Sequence, residues 1–355
     1  MGAKCSCQNP EEDSKSGLEV EKKPEPASRS KRPNLSIKLP LLDIIKVQSM
    51  LRGYITRREV LAVLVNKSAL FHFDGGKVLQ EIEEVPEYAN PATLLTEKKL
   101  GPYEYTYSLL DNVSVTPRKP VLLDNGAVYL GEWSEKNERH GKGMQLWSDG
   151  SKYEGYWQND KAAGRGRLIH ADGDVYIGEW ANDKAEGRGV YIHTDGSKYE
   201  GDWVDDKQHG RGVETWQDGA RYEGTYVEGR KHGKGLFQWA DGSSYDGEFL
   251  DNNIDGIGTY QWSDGRRYEG DWKVNKMHGK GKFSWADGRQ YDGDYVNDIK
   301  EGNGVFVWPD GRRYEGMWLD GKQYGTGMYT NAAGEKRKGE WENGKRVQWL
   351  SDPLT

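Results

Sequence analysis

The residues best placed to do chemistry in this sequence stand at its beginning. The chain opens MGAKCSC, with Gly2 followed by Ala3, Lys4, Cys5 and Ser6. That is the pattern of a glycine whose α-amine takes a myristoyl chain once Met1 is removed. Cys5 and Cys7 are the only two cysteines of the chain. They are too close together and too terminal to staple a fold, and beside Gly2 they are expected to take palmitoyl thioesters. One myristoyl chain holds a protein to a bilayer only marginally, so a second lipid has a physical reason to be there. Such cysteine usage, with no secretory signal ahead of it, points to a reducing, cytoplasmic setting.

A second group lies behind the anchor. Residues 1–40 are rich in charge, Pro and Ser and are expected to form a disordered tether. Pro40 can then open a helix, in which Ile44, Val47, Leu51 and Ile55 share one face beside Arg52, Arg57 and Arg58. This stretch, 41–66, resembles the IQ motif at Val47, Gln48, Arg52, Gly53, Arg57 and Val60. The resemblance implies a helix held by calmodulin or a related EF-hand light chain. In such a complex the apolar face fills a Met-rich groove and the arginines meet carboxylates. Residues 28–67 carry a net charge of +7, which suits anionic lipid equally well.

The elements that must carry everything else follow from a repeat. Tyr recurs at 129, 153, 176, 199, 222, 245, 268, 291 and 314, every step after the first being 23 residues. A worn further copy stands at Arg337, Gly339 and Trp341. A fixed period in this range means a repeat architecture. In one copy, YEGDWKVNKMHGKGKFSWADG, the residues Tyr268, Gly270 and Trp272 share a strand face. A short turn is expected over Val274–His278. Then Gly279, Gly281, Phe283 and Trp285 share the same face, and Asp287-Gly288 turns the chain again. The opposite face, with Glu269, Asp271, Lys280, Lys282 and Ser284, reads as solvent-facing. Each repeat is therefore a β-hairpin, unstable alone but stabilised by stacking its aromatic face on its neighbours. Glycine inside a strand marks the close approach of another group, here a ring.

Tyr-x-Gly-x-Trp, then His-Gly-x-Gly, then Asp-Gly, resembles the MORN repeat. The resemblance implies an elongated, twisted antiparallel β array used as a scaffold. Such arrays occur in membrane-linked, cytoskeletal and ciliary proteins and beside lipid-kinase domains. The expected fold is thus an all-β hairpin solenoid behind a tether and a short helical segment. Its divisions are a tether at 1–40, the IQ helix at 41–66, a linker and cap at 67–120, and the array at 121–349. Within the linker a short helix is expected over Leu70–Val85 and a strand over 101–110. VLLDNG, ending at Gly126, reads as half a repeat that caps the array.

Three remaining signals lose their chemistry inside this frame. His140, His209, His232 and His278 precede the Gly-x-Gly of their repeats, about 10 Å apart or more, too far to share one zinc ion. The same slot holds Ala163, Glu186, Asp255, Glu301 and Tyr324. DNNIDG, Asp251–Gly256, copies the start of an EF-hand loop, but the position that needs a bidentate Glu holds Trp262. The Gly-x-Gly pairs lie inside hairpins and not between a strand and a helix, which excludes a phosphate cradle. No nucleophile and base stand together, so no catalytic residue, metal or cofactor is expected.

Composition agrees. All 14 Trp lie beyond residue 130, and the longest apolar run, Val60–Val65, is too short to span a bilayer. Residues 1–120 carry +2 and the remainder −9, so the array is acidic and a poor match for nucleic acid. The expected function is a non-enzymatic scaffold on the inner face of a plasma or ciliary membrane. It would bind calmodulin through the IQ helix and a second protein or lipid through the array. The alternatives are a structural component of an axoneme, cilium or cell cortex, and a regulator of phosphoinositide kinase signalling.

Overall fold

The computed structural model describes residues 79–106 and 108–353. The lipidation residues Gly2, Cys5 and Cys7 lie outside them, as do the IQ positions Val47, Gln48, Arg52, Gly53, Arg57 and Val60.

The described chain is a single antiparallel sheet of 23 strands in which hairpin follows hairpin. In the copy beginning at Tyr268, strand Arg267–Lys273 pairs with Lys276–Ser284, which pairs with Gln290–Val296 of the next copy. The hairpin turn is only two residues long. Val274 and Asn275 both take positive φ, 47° and 64°. That is the turn type whose twist suits a hairpin. Lys276, Met277 and His278, expected in the turn, are therefore already strand. Met277 points into the core and is fully buried. The first repeat is longer by one residue because its turn, closed by a bond from the Ser134 N–H to the Glu138 carbonyl, has no two-residue form.

The two glycines of each Gly-x-Gly have different duties. Gly279 sits at φ 58° beside a register shift between Gly270 and Trp272. The shift is a bulge, and it leaves the Lys280 N–H to be taken by the Asp271 carboxylate at 2.8 Å. Gly281 lies under the ring of Tyr268, where a Cβ would come within 2.4 Å of ring carbons. Glycine is thus required once for its backbone and once for its missing side chain.

The core is a row of rings. Tyr268 meets Trp272 of its own strand edge-on at 5.0 Å and Tyr295 of the next hairpin at 5.3 Å. The Tyr268 hydroxyl donates to the Asp271 carbonyl at 2.9 Å, and Trp272 Nε1 donates to the Gly258 carbonyl of the preceding hairpin at 3.2 Å. Each edge-on pair contributes about 0.5–1.5 kcal/mol beyond its buried area, so the stack is fastened once per repeat.

A second fastening runs along the turns. Asp298 accepts from the Met277 N–H at 2.8 Å, and its own N–H returns a bond to the Met277 carbonyl at 2.9 Å. The same two-way clamp joins Asp160 to Arg139, Asp183 to Ala162, Asp206 to Ala185, Asn252 to Lys231 and Asn275 to Ile254. Where the turn ends in Gly229, Gly321 or Gly344, only the backbone half remains.

The first strand of the array, Val128–Trp133, has its outer edge covered. Val121–Leu122 pairs along one half and Thr116–Pro117 along the other. The turn after Val121–Leu122 carries the bonds found at every Asp-Gly turn, so VLLDNG is the closing half of a repeat, as expected. Two expectations need correction. Residues 79–85 are not helical: Gln80–Glu81 form a short strand on Val121–Leu122. Residues 101–106 and 108 are not a strand, because that edge is already occupied; they lie across the sheet, ahead of the 3-10 turn Leu109–Asn112. The helix of this region is instead α1, Pro91–Leu100, capped by the Asn90 side chain accepting from Ala92 and Thr93 N–H groups. No described helix is long and apolar enough to cross a membrane.

Candidate functional site

The side chains left over by the frame fall on two surfaces. The first is the face expected to be solvent. Over the first three repeats it is covered by residues 88–106 and 108–112. Asn90 Nδ2 donates to the Asp149 and Ala171 carbonyls, both at 3.0 Å, and the Thr96 hydroxyl to the Gly173 carbonyl at 2.9 Å. Tyr105 stands edge-on to Tyr156 at 5.7 Å, and the Tyr156 hydroxyl donates to the Thr106 carbonyl at 2.6 Å. Arg167, 3% exposed, pairs with Glu154 at 2.6 Å and donates to the Gly101 carbonyl at 2.8 Å. The solvent-face reading therefore holds for the later repeats and fails for these. A signal was present in the sequence. Tyr156 stands in the slot that holds Glu179, Asp202, Glu248, Asp271 and Asp294 elsewhere, and Leu146, Ile169 and Ile192 stand where later copies have Thr215, Gln238, Gln261 and Ser284.

The second surface is a line of rings beside the core, half-buried except for Tyr260, Phe283 and Phe306, which belong to the core itself. Trp216, Phe237, Trp239, Tyr260, Trp262, Phe283, Trp285, Phe306, Trp308 and Tyr329 follow one another with centroids 4.4–6.5 Å apart. One Trp per hairpin stands at the rim, ahead of the Asp-Gly turn. Arg266, Arg289 and Arg312 lie over Trp262, Trp285 and Trp308 at 5.3–5.4 Å. Each is paired at 2.7 Å with the aspartate of its turn. The rim therefore presents rings and neutralised charge.

Toward the amino end the line changes character. Glu214 takes a ring position and binds Lys231 at 2.6 Å and the Tyr226 hydroxyl at 2.9 Å. His170 and His193 replace Trp in two further copies. Asp174 accepts from the Thr194 N–H and lies 2.9 Å from His193 Nδ1. Burial alone would raise the Asp174 pKa, but these hydrogen bonds outweigh it and hold the carboxyl at about 2. Burial lowers the His170 pKa. Among the core tyrosines burial raises the phenol, that of Tyr314 to about 12, so these hydroxyls act as fixed donors and not as acids.

The histidine slot faces the turn of the next hairpin in several copies. His140 Nδ1 accepts from the Asn159 N–H at 3.4 Å, in the next hairpin's turn. Glu186, Asp255 and Glu301 in the same slot accept from Asp205, Val274 and Asp320 N–H groups at 3.0–3.1 Å. The calcium-loop mimic is likewise absorbed. Asp251 and Asn252 are the two turn residues, and Asn252 clamps the preceding hairpin.

With this geometry in view, comparison with known proteins decides the family. The profile described as the MORN repeat matches residues 129–152, 153–175, 176–198, 199–221, 222–244, 245–266, 268–288, 291–312, 314–336 and 338–347. The chain belongs to the MORN-repeat family. Its ten matched segments include the worn last copy. Among solved structures, the TCP10 domain of Danio rerio CPAP in complex with a peptide of STIL is 10% identical, with a TM-score of 0.37 over 63% of this chain and 99% of that one. The SAS-4 (dCPAP) TCP domain of Drosophila melanogaster, with a proline-rich motif of Ana2, is 12% identical, with a TM-score of 0.26 over 50% and 85%. A streptogramin B lyase is 11% identical, with a TM-score of 0.15 over 65% and 86%. Such distant likenesses carry no argument about this MORN protein. No curated protein matches it.

Proposed function

We propose that this MORN-repeat protein is a non-enzymatic scaffold held to the cytoplasmic face of a membrane by acylated Gly2, Cys5 and Cys7. A calmodulin-type protein binds the segment around Val47, Gln48, Arg52, Gly53, Arg57 and Val60, and the array docks a further partner. One observation carries the reading. The repeat frame commits backbone, glycines and core rings to the stack, and what it leaves free is the same rim, offered once per hairpin at a constant interval. A surface of that kind suits docking along its length better than turnover of a small molecule.

The segment near the anchor adds regulation. Arg52, Arg57 and Arg58 cannot face lipid phosphates and a partner's carboxylates at once. Each basic residue near an anionic surface contributes about 1 kcal/mol. Partner binding therefore loosens the membrane attachment without releasing the acyl chains.

Gly2→Ala is expected to move the protein from the membrane to the supernatant fraction, and Cys5→Ser with Cys7→Ser to leave weak, reversible attachment. Calorimetric titration of the full chain with calmodulin, with and without Ca²⁺, is expected to show one site that Arg52→Glu with Arg57→Glu abolishes. Gly2→Ala protein that still sediments like the wild type after detergent would reject the lipid anchor in favour of the cortical or axonemal component.

A further inference from the structure

The line of rings from Trp216 to Tyr329 has a geometry that selects its ligand. We infer that it is a docking track for a proline-rich, polyproline II segment of another protein. The inference rests on the reading of the array as a docking surface and names the partner's chemistry.

Four observations lead there. The first is pitch. The rim tryptophans recur once per hairpin, at two strand spacings, or about 9.6 Å. A polyproline II helix turns once in three residues and rises about 9.3 Å. Over the four hairpins from Trp216 to Trp308 the two periods drift apart by only about 1 Å. An α-helix, returning to one face after two turns of about 5.4 Å each, overshoots by about 5 Å over the same distance.

The second is hydrogen bonding. Strands Lys198–Val204 through Lys322–Thr330 are paired on both sides, so no ligand can add to them as a strand. Recognition along the track must use side-chain faces, and a proline-rich segment brings pyrrolidine rings with few donors to satisfy. Such segments bind aromatic-lined grooves at low entropic cost because they are extended beforehand.

The third is charge. The rim arginines Arg266, Arg289 and Arg312 are matched by Asp264, Asp287 and Asp310, which leaves little net charge to attract an ionic ligand. The fourth is extent. The half-buried Trp216, Trp239, Trp262, Trp285 and Trp308 stand on a row of rings whose Tyr260, Phe283 and Phe306 are buried, and the row stops at Glu214, where Lys231 and Tyr226 close over the carboxylate. The track therefore has room for four to five polyproline turns and begins where the rings begin.

The experiment titrates the full chain with labelled oligoprolines of six and fifteen residues and follows anisotropy together with tryptophan emission. The fifteen-residue peptide is expected to bind at least tenfold more tightly than the six-residue one, since it reaches more rim tryptophans. Trp262→Leu with Trp285→Leu is expected to weaken it at least tenfold. Ala286→Arg, an exposed rim substitution outside the core, is expected to weaken it severalfold in a protein whose circular dichroism and melting are unchanged. Absence of binding at either length overturns the inference. So does equal affinity for both lengths, tighter binding of an alanine–leucine helical peptide at the same tryptophans, or tryptophan-dependent binding of phosphatidylcholine vesicles in place of peptide. Calmodulin titration of the same samples reports separately on the scaffold reading: no calmodulin binding with oligoproline binding intact rejects the regulatory segment and leaves the track.

Discussion

Repeats beginning at Tyr153 and Tyr291 share a frame and differ in what lies over it. In the first, the face away from the rings is covered by residues 88–106 and 108–112, and Tyr156, Arg167 and Ile169 are buried there. In the second, the same positions hold Asp294, Val305 and Val307, none of them fully buried. The ring side differs in the opposite sense. The later repeats carry an uninterrupted line of rings, while the earlier ones carry His170, His193 and Glu214 in it. The amino-terminal repeats thus bind their own chain, and the later ones leave the same surfaces uncovered among the described residues. The frame fixes the fold, and the positions it leaves free divide the array into a closed and an open half.

The largest expected effect that would break this contrast is Tyr156→Ala. It removes a fully buried ring with two partners and is expected to cost about 3–5 kcal/mol. The equivalent change in an open repeat, Met317→Ala, is expected to stay within about 0.5 kcal/mol, because Met317 is 42% exposed. Urea denaturation of both variants, with local hydrogen exchange, checks the pair. Equal costs would show that the cover contributes nothing.

Next is Arg167→Ala, which leaves the Glu154 carboxylate with Lys152 alone, at 3.0 Å, and takes the Arg167 donor from the Gly101 carbonyl. About 1–3 kcal/mol is expected from the lost hydrogen bonds, against almost nothing for the exposed Lys282→Ala at the matching place. Hydrogen exchange over residues 88–112 should rise for the first variant alone.

Acid should sharpen the contrast further. The His170 pKa is lowered in the folded chain, so the unfolded state takes up its proton first, and stability falls as the pH drops below about 6.5. The Asp174 carboxyl, held at about 2, favours the fold above about 3.9 and loses that contribution as the pH falls toward 2. Both groups sit in the closed half. Its amides around residues 165–195 are expected to lose protection by about tenfold or more between pH 7 and pH 3, relative to those around residues 265–310. Asp174→Asn should remove the lower part of that dependence.

The smallest effect is a gain. Gly229 stands at φ 78° with open space around its missing Cβ, in a turn that lacks the side-chain half of the clamp. Gly229→Asn supplies an acceptor for the Gln208 N–H in a residue that tolerates this backbone region, and about 0.5–1 kcal/mol of added stability is expected. A thermal melt of a few degrees higher would register it.

How much of this could be read from residues depends on which rule each one obeys. The period, the hairpins and the aromatic face were legible because Tyr268, Gly270 and Trp272 obey the two-residue alternation that a strand imposes. The turn at Val274-Asn275 was read too long, since Lys276 to His278 look polar and turn-like although Met277 points inward. The alternating tyrosines Tyr103 and Tyr105 looked like a strand. They act by packing, Tyr105 on Tyr156 and Tyr103 on Tyr105, with no strand partner to direct them. The cover itself was hidden because it joins residues some 50 positions apart, and alternation within a strand says nothing about such partners. Comparing each copy with the others would have exposed it through Tyr156, Leu146 and Ile169.

The clamp at each turn also bears on how such a chain changes over generations. Its backbone half joins one hairpin to the one before it even at Gly229, Gly321 and Gly344, where the side-chain half is missing, and the ring of the next copy meets Tyr268, Tyr245 or Tyr222 in the same edge-on way. A recombination event that deletes or duplicates one whole period in the open half rejoins surfaces that already fit. The product keeps its fold and its amino-terminal cover and differs only in length. Length is therefore the property of this molecule that inheritance can adjust in single steps, leaving the fit of the remaining hairpins unchanged.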